Sequence, residues 1–364
     1  MKEHDFLKYL KRNPADVPPE LCHFNHAVMI PAYDEEENLP KLLNSICCAI
    51  PPCPIAVMVA VNYPAGLSDE SSKKLYDKLL NTVLPEPFKL FALFAPELVN
   101  GVGEARKILF DTFCHTRTPE NADSSVMFSL DADCLIHPDY FTETLEQFSL
   151  NDAGCVAIKV AHQKSDAPEL DRAIAIYEKY LLDYEDNLEK CNSPYAYNAI
   201  GSGFAVKVKD YIRCGGMKLK KAGEDFYFMQ SVAKCSKIVK TGNALVFPSP
   251  RISERVPFGT GTAVRDIIDG VMPRQVSDEA FVELAKILST IQTSGVLDSG
   301  ENFISSLTAA SAEFFVSNGF VNAWNKTLSN QKPHTDTEKQ KAFHLWFDAL
   351  QTRRFLHFIT ESLQ

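Results

Sequence analysis

Four short apolar runs, at residues 27–30, 55–61, 88–94 and 126–130, are separated by stretches of helical length and period, among them residues 39–50 and 103–114. Runs that stay apolar at successive positions predict strands buried on both faces, which belong to a parallel sheet covered by helices on both sides. Strand-like runs follow at residues 155–160 and 204–208, around a long amphipathic stretch at 169–189. The expected class is α/β, with a doubly wound, mostly parallel sheet.

After Pro257-Phe258-Gly259-Thr260-Gly261 the character changes. Residues 278–292, 303–324 and 337–363 read as helices, and 325–336, rich in Asn, Ser, Thr and Lys, reads as a loop. Phe314, Phe315, Phe320, Trp324, Phe343, Trp346, Phe347, Phe355 and Phe358 recur at helical spacing, a pattern that more commonly builds a core than a partner face. The expected division is a catalytic domain over residues 1–260 and an α-helical C-terminal region over 261–364, covering that domain or pairing two copies in a homo-oligomer.

A chain of 364 residues can bury a large core. Its formal net charge of -10 argues against sequence-independent nucleic-acid binding, so any anionic ligand needs local cations. No apolar run reaches membrane-spanning length and Met1-Lys2-Glu3-His4-Asp5 opens no recognisable leader, which makes a cytoplasmic protein without a transmembrane segment the expectation. The 10 cysteines show no repeated Cys-x-x-Cys and read as reduced core thiols; the cluster Cys22, His23, His26, Cys47, Cys48 and Cys53 fits no standard zinc spacing.

Ligands of open α/β sheets bind beyond the carboxyl ends of the strands, and unusual chemistry follows several of these runs. Asp131-Ala132-Asp133 comes directly after residues 126–130. Side chains two apart on a strand point the same way, so the two carboxylates are expected to converge and to suit Mg²⁺ or Mn²⁺ holding phosphate oxygens; otherwise they cap a turn. In Pro31-Ala32-Tyr33-Asp34-Glu35-Glu36-Glu37-Asn38, Pro31 is expected to stop the ladder and Tyr33 to offer a flat surface to a base. The acids there are expected to begin a helix.

Asn100-Gly101-Val102-Gly103-Glu104-Ala105-Arg106 predicts a turn whose amides meet a phosphate or ribose, with Arg106 free to pair an anion. Ile200-Gly201-Ser202-Gly203-Phe204 lets a sugar hydroxyl or phosphate approach the backbone, or forms a bulge. Gly223-Glu224-Asp225 sets two carboxylates at a helix start, to take a proton or simply to cap. The segment 251–262 carries Arg251 and Arg255 ahead of Pro257 and the Gly259-Thr260-Gly261 turn, and is either a loop closing on a diphosphate or an interdomain linker.

Taken in order, these segments over residues 25–260 resemble the family 2 glycosyltransferases, whose fold is the GT-A nucleotide-diphospho-sugar transferase fold. The resemblance implies that Pro31, Ala32, Tyr33 and Glu35 cradle the nucleotide, that Gly101 and Arg106 follow them, and that Asn62, Gly203, Arg251 and Arg255 complete the donor site. It implies that Asp131, Ala132 and Asp133 hold the donor diphosphate, the two aspartates through the metal, and that Asp225 is the general base with Glu224 orienting acceptor or base.

The implied activity is metal-dependent transfer of a sugar from a UDP- or GDP-sugar to a carbohydrate or other hydroxyl, inverting and non-processive, since the Gln-x-x-Arg-Trp signature of processive synthases is not found. One departure is Val61-Asn62-Tyr63-Pro64, where the family commonly carries paired acids before a Gly-Ser turn. Three alternatives are a nucleotidyltransferase, a silent sugar-binding scaffold and a hydrolase. The first calls for a basic Gly-rich loop after the first strand, where this chain is acidic.

Overall fold

A computed structural model describes residues 1–67, 69–220, 223–252 and 259–362. Contacts divide the chain into two compact units, Met1–Glu178 with Ala199–Val271, and Lys179–Asn198 with Met272–Gln364.

The first unit is built on eight strands, β1 (His26–Ala32), β2 (Ile55–Pro64), β3 (Phe88–Leu98), β4 (Val126–Ser129), β5 (Cys134–Ile136), β6 (Cys155–Val160), β7 (Phe204–Lys207) and β8 (Ile238–Pro248). They form one sheet in the order β3-β2-β1-β4-β7-β6-β8-β5. Pairs β3–β2, β2–β1, β1–β4 and β6–β8 are parallel, and β7 and β5 are antiparallel to their neighbours. The doubly wound, mostly parallel sheet is therefore present. Every side chain from Ile55 to Val61 is fully buried, as expected of a β-branched strand covered on both faces.

The unit's helices are α1 (Glu3–Arg12), α2 (Leu39–Cys47), α3 (Glu70–Leu80), α4 (Val102–Cys114), α5 (Tyr140–Asn151), the first part of α6 (Pro168–Lys190), α7 (Val208–Arg213), α8 (Glu224–Ala233) and α9 (Thr260–Ile268). Leu42 and Ile46 of α2 and Tyr140 and Phe141 of α5 close one face of the sheet over Val28, Val57 and Phe128.

One local expectation fails and two strands lack an apolar signature, each for an identifiable reason. Pro31 does not stop the ladder, because β1 runs on to Ala32 with Pro31 opposite Ala60. The Met29 carbonyl accepts from Leu130 N–H, so an N–H at position 31 would point to the β4 side, where pairing has ended at Ser129 and a proline loses nothing. The strands β5 and β8 carry no apolar run of the kind that marked the others: β5 is three residues long, and β8 is interrupted by Thr241-Gly242-Asn243.

The second unit holds α10 (Asp278–Thr290), α11 (Gly300–Ser305), α12 (Ala309–Ser317), α13 (Phe320–Gln331), α14 (Asp336–Trp346) and α15 (Ala349–Ser362). Phe303, Phe314, Phe315, Phe320, Trp324, Phe343, Phe347 and Phe355 make its core, with Trp346 and Phe358 partly buried against it. The single helix expected over 303–324 is three, because Thr308 caps α12 and Gly319, at φ 74°, turns the chain before α13. The loop expected over 325–336 shrinks to residues 332–335, since Leu328 packs on the core and Thr335 with Glu338 forms a capping box for α14.

Residues 179–198, expected in the catalytic domain, belong to the helical unit because Leu188 and Cys191 enter its core. Residues 261–271 go the other way, as Val264 and Ile267 of α9 pack with Ala173 and Ile174. Phe315 is fully buried among five aromatic rings or more, so Phe315→Ala is expected to cost about 3–5 kcal/mol in denaturant unfolding of this unit. A loss below about 1 kcal/mol would mean that the aromatic cluster is loosely packed.

Candidate active site

The carboxyl ends of β1 and β4 lie side by side with connections leaving in opposite directions, the position where open α/β sheets bind ligands. Asp131-Ala132-Asp133 sits there, but in the turn joining β4 to β5 rather than on an extended strand, with Cys134 N–H donating to the Asp131 carbonyl at 3.1 Å. The expectation that alternation aims both carboxylates at one spot therefore fails. Each instead meets its own arginine: Asp131 pairs with Arg106, and Asp133 accepts from Arg251 Nε at 3.0 Å. Ala132 is buried between them. Burial, and then the charge of Asp131, pushes the Asp133 carboxyl up to about 6 against the pull of Arg251.

Arg106 is the hub of the site. Gly101, at φ 62°, starts α4. Gly103 lets that helix pass Glu224 so closely that a Cβ there would lie 2.9 Å from Glu224 Cγ. Arg106, one turn on, is only 3% exposed and spends its terminal nitrogens on Asp131 and Glu224. Burial alone would lower the pKa of its guanidinium, but Asp131, Glu224 and Asp225 reverse that and hold it above the usual arginine range. The guanidinium expected to wait for a ligand anion is thus enclosed by the protein's own acids.

The glycines after α6 serve the same enclosure. A Cβ at Gly201 would lie 2.5 Å from Arg106 Nη2, and one at Gly203 would lie 2.9 Å from Val160 Cγ2 and 3.0 Å from the Ile158 carbonyl. The space expected for a sugar or phosphate is filled by side chains and backbone. Gly201→Ala should accordingly destabilise by about 1–3 kcal/mol through overpacking of a buried charge, read as a lowered Tm. An unchanged Tm would show that Arg106 has room to move.

The turn before α4 is closed in the same way. Glu104 Oε2 accepts from Val99 N–H at 3.1 Å and Asn100 N–H at 2.9 Å, so of the amides expected to meet phosphate or ribose, that of Asn100 is already satisfied.

At the end of β1, Glu35 is buried, pairs with Arg251 and accepts from Asn38 Nδ2 at 2.9 Å. The acids precede α2 rather than occupy its first turn; Glu36 accepts from Ser71 Oγ at 2.5 Å. Tyr33 is half-buried in this turn. The side-chain amide of Asn62, buried at the end of β2, is oriented to donate to the Ala32 and Ala60 carbonyls, each at 3.3 Å, and so ties β1 to β2.

Glu224 and Asp225 open α8 after Gly223, which is left-handed at φ 69°. Glu224 is committed to Arg106, while Asp225 Oδ1 accepts only from the next backbone N–H, that of Phe226, at 2.7 Å among the described residues. Burial and the neighbouring Glu224 charge push Asp225 up to about 6, with Arg106 opposing. A carboxyl in that range is a competent proton acceptor near neutral pH. Arg255 lies outside the described residues, as does the rest of 253–258.

Of three supporting groups, motif spacing marks only Gly103, as part of the turn expected over residues 100–106. Ser129, a lone hydroxyl in an apolar strand, donates to the Gly201 carbonyl at 2.6 Å; its isolation among Val126, Met127 and Phe128 is the signal that marks it. Gly103 matters for its closeness to Glu224, which no local pattern encodes. Gln163 stands in no motif at all.

Among the described residues, no group of three or more His, Cys, Asp or Glu side chains could by itself hold a metal ion. The hard oxygens of Asp131 and Asp133 fit Mg²⁺ or Mn²⁺ only if phosphate oxygens and water complete the shell and the arginines give way, which suits a cation that arrives with a diphosphate.

No family model and no curated protein matches this chain. Solved structures similar to it include S. aureus TarS 1-349 in complex with UDP-GlcNAc, at 13% identity over 88% of this chain and 89% of that one, with a TM-score of 0.47. The same TarS piece with UDP is 14% identical over 88% of each chain, with a TM-score of 0.44. GalNAc-T7 with UDP, GalNAc and Mn²⁺ is 15% identical over 73% of this chain and 50% of that chain, with a TM-score of 0.39. At such identities and TM-scores these likenesses assign no substrate and no residue role here.

Proposed function

We propose that the chain is a GT-A glycosyltransferase that moves a sugar from a UDP- or GDP-sugar to a carbohydrate or other hydroxyl acceptor. The observation that carries this reading is the pairing, through Arg106, of the Asp131 turn with the Glu224–Asp225 helix start at the carboxyl ends of a doubly wound sheet. That pairing supports a diphosphate site beside a proton acceptor, the two groups that direct glycosyl transfer needs.

In the proposed reaction Asp225 takes the acceptor hydroxyl proton as the acceptor oxygen forms its bond to the anomeric carbon. The bond from that carbon to the donor phosphate breaks, and the diphosphate leaves with the electron pair. Attack opposite the leaving group inverts the anomeric centre. Arg251, the more exposed of the two site arginines, turns from Asp133 and Glu35 to the diphosphate, a bidentate partner suited to its fork. Asp131 and Asp133 would hold Mg²⁺ or Mn²⁺, which when bound neutralises charge on the departing diphosphate. Glu224 keeps its bond to Arg106, and so holds that guanidinium beside the base, when Asp131 is released from it.

Transfer is proposed to be non-processive, since the Gln-x-x-Arg-Trp signature of processive synthases is not found. No helix among the described residues is long and apolar enough to cross a membrane; a cytoplasmic setting and a homo-oligomer belong to the same proposal. Because the Asp225 carboxyl is pushed up to about 6 and must be deprotonated to act, kcat should fall as pH drops below about 6 and level off above it. A flat profile from pH 5 to 8 would remove Asp225 as the base.

Mass balance tests the class directly. Incubation with UDP- and GDP-sugars and Mn²⁺ should release nucleoside diphosphate only when a hydroxyl acceptor is added. Release of free sugar without acceptor would make the protein a hydrolase, and consumption of nucleotide-sugar with pyrophosphate would make it a nucleotidyltransferase.

A further inference from the structure

Gln163 lies just beyond β6, where the chain still runs beside β8: Ala161 N–H donates to the Val246 carbonyl and Gln163 N–H to the Pro248 carbonyl, both at 3.0 Å. Its side-chain Nε2 donates to two further carbonyls, those of Phe247 at 2.7 Å and Asp133 at 3.2 Å. The Asp133 carbonyl also accepts from Ser249 N–H at 3.0 Å. Two carbonyl acceptors fix the orientation of the amide, since only its NH₂ end can donate to both.

The location gives that bridge its consequence. The β5–β8 ladder is three residues long and ends at Cys134 opposite Pro248. Asp133 and Arg251 both stand beyond that end, where a short ladder frays first. Their side chains meet there, Arg251 Nε on Asp133 Oδ2 at 3.0 Å. One side-chain amide thus fastens the backbone of the Asp133 turn to the stretch of chain that leads to Arg251.

We propose that Gln163 is a positioning residue for the donor diphosphate, holding Asp133 and Arg251 in register by clamping the β4–β5 turn to the end of β8. The clamp stands on geometry alone; only the identity of its beneficiary rests on the glycosyltransferase reading. Met at this position keeps the length and volume and removes both donors. Asn keeps the amide but is one methylene short of the two carbonyls.

Hydrogen exchange on the ligand-free protein tests the clamp, and calorimetry tests its purpose. In Gln163→Met, and in Gln163→Asn should the first variant fold poorly, exchange of the Ser249 amide should accelerate by about tenfold, the size expected for loss of one or two hydrogen bonds. Affinity for UDP or GDP should fall by about tenfold while uridine or guanosine binds as before, and donor KM should rise with kcat within about twofold. Unchanged Ser249 exchange in both variants, or equal losses for nucleoside and diphosphate, would overturn the proposal. Faster Ser249 exchange in a protein whose wild type binds neither diphosphate would leave the clamp standing and remove the nucleotide-sugar reading instead.

Discussion

Asp225→Asn should lower turnover by about 10²- to 10⁴-fold and leave donor-nucleotide affinity within about twofold. The amide has the carboxylate's shape but accepts no proton near neutral pH, so the loss falls on proton transfer. The fold should survive, because burial and the Glu224 charge already disfavour a charge at this position. Neutralising Asp225 removes that repulsion. Single-turnover kinetics with donor prebound would separate chemistry from binding. Retained turnover would make Asp225 a plain helix-start acid and would leave the site without its base, since Glu224 is committed to Arg106.

Arg106→Met is expected to produce the largest loss of stability at the site. Glu224 is 5% exposed at its side chain, and removing its partner strands a buried carboxylate, typically a cost of about 3–5 kcal/mol. Asp131, with 38% of its side chain exposed, can regain water and should contribute little to that figure. The double variant Arg106→Met with Glu224→Gln should recover much of the loss, because the Glu224 carboxylate is no longer buried without its partner and no longer repels Asp225. Urea unfolding of the three proteins checks this. Additive losses, or a single-variant cost below about 1 kcal/mol, would show that the two side chains do not act as a buried pair.

The strands β1, β2, β4, β6 and β7 were legible in sequence because each is buried along most of its length and so writes a nearly continuous apolar run, whereas β3, at the sheet edge with Lys89 and Phe94 exposed, was legible from its apolar composition although it is not covered on both faces. The strands β5 and β8 were not: one is too short to write a pattern, and the other is broken by the polar Thr241-Gly242-Asn243, where its pairing with β6 shifts register. The site was legible as a set of residues, since Asp131, Arg106 and Glu224, far apart in sequence, do meet.

What each residue faces was not legible. Gly201 and Gly203 mark close approach equally well whether the visitor is a sugar or, as here, Arg106 and Val160. Glu104 marks a helix start whether its carboxylate faces solvent or closes the preceding turn. Deciding between such readings requires knowing which elements lie across the sheet edge, and no local spacing carries that. Gln163 is the extreme case, a side chain whose two partners lie 30 and 84 residues away.

The Asp131–Asp133 turn is proposed to hold a donor diphosphate together with a divalent cation. Calorimetric titration of UDP and GDP, with and without Mn²⁺, into the wild type and into Asp131→Asn and Asp133→Asn tests it most directly. Wild-type protein is expected to bind one of the two diphosphates more tightly with Mn²⁺ than without, and both variants to keep their Tm while losing that gain. Failure of the wild type to bind either nucleotide, or a Mn²⁺-dependent gain unchanged in both variants, would contradict it.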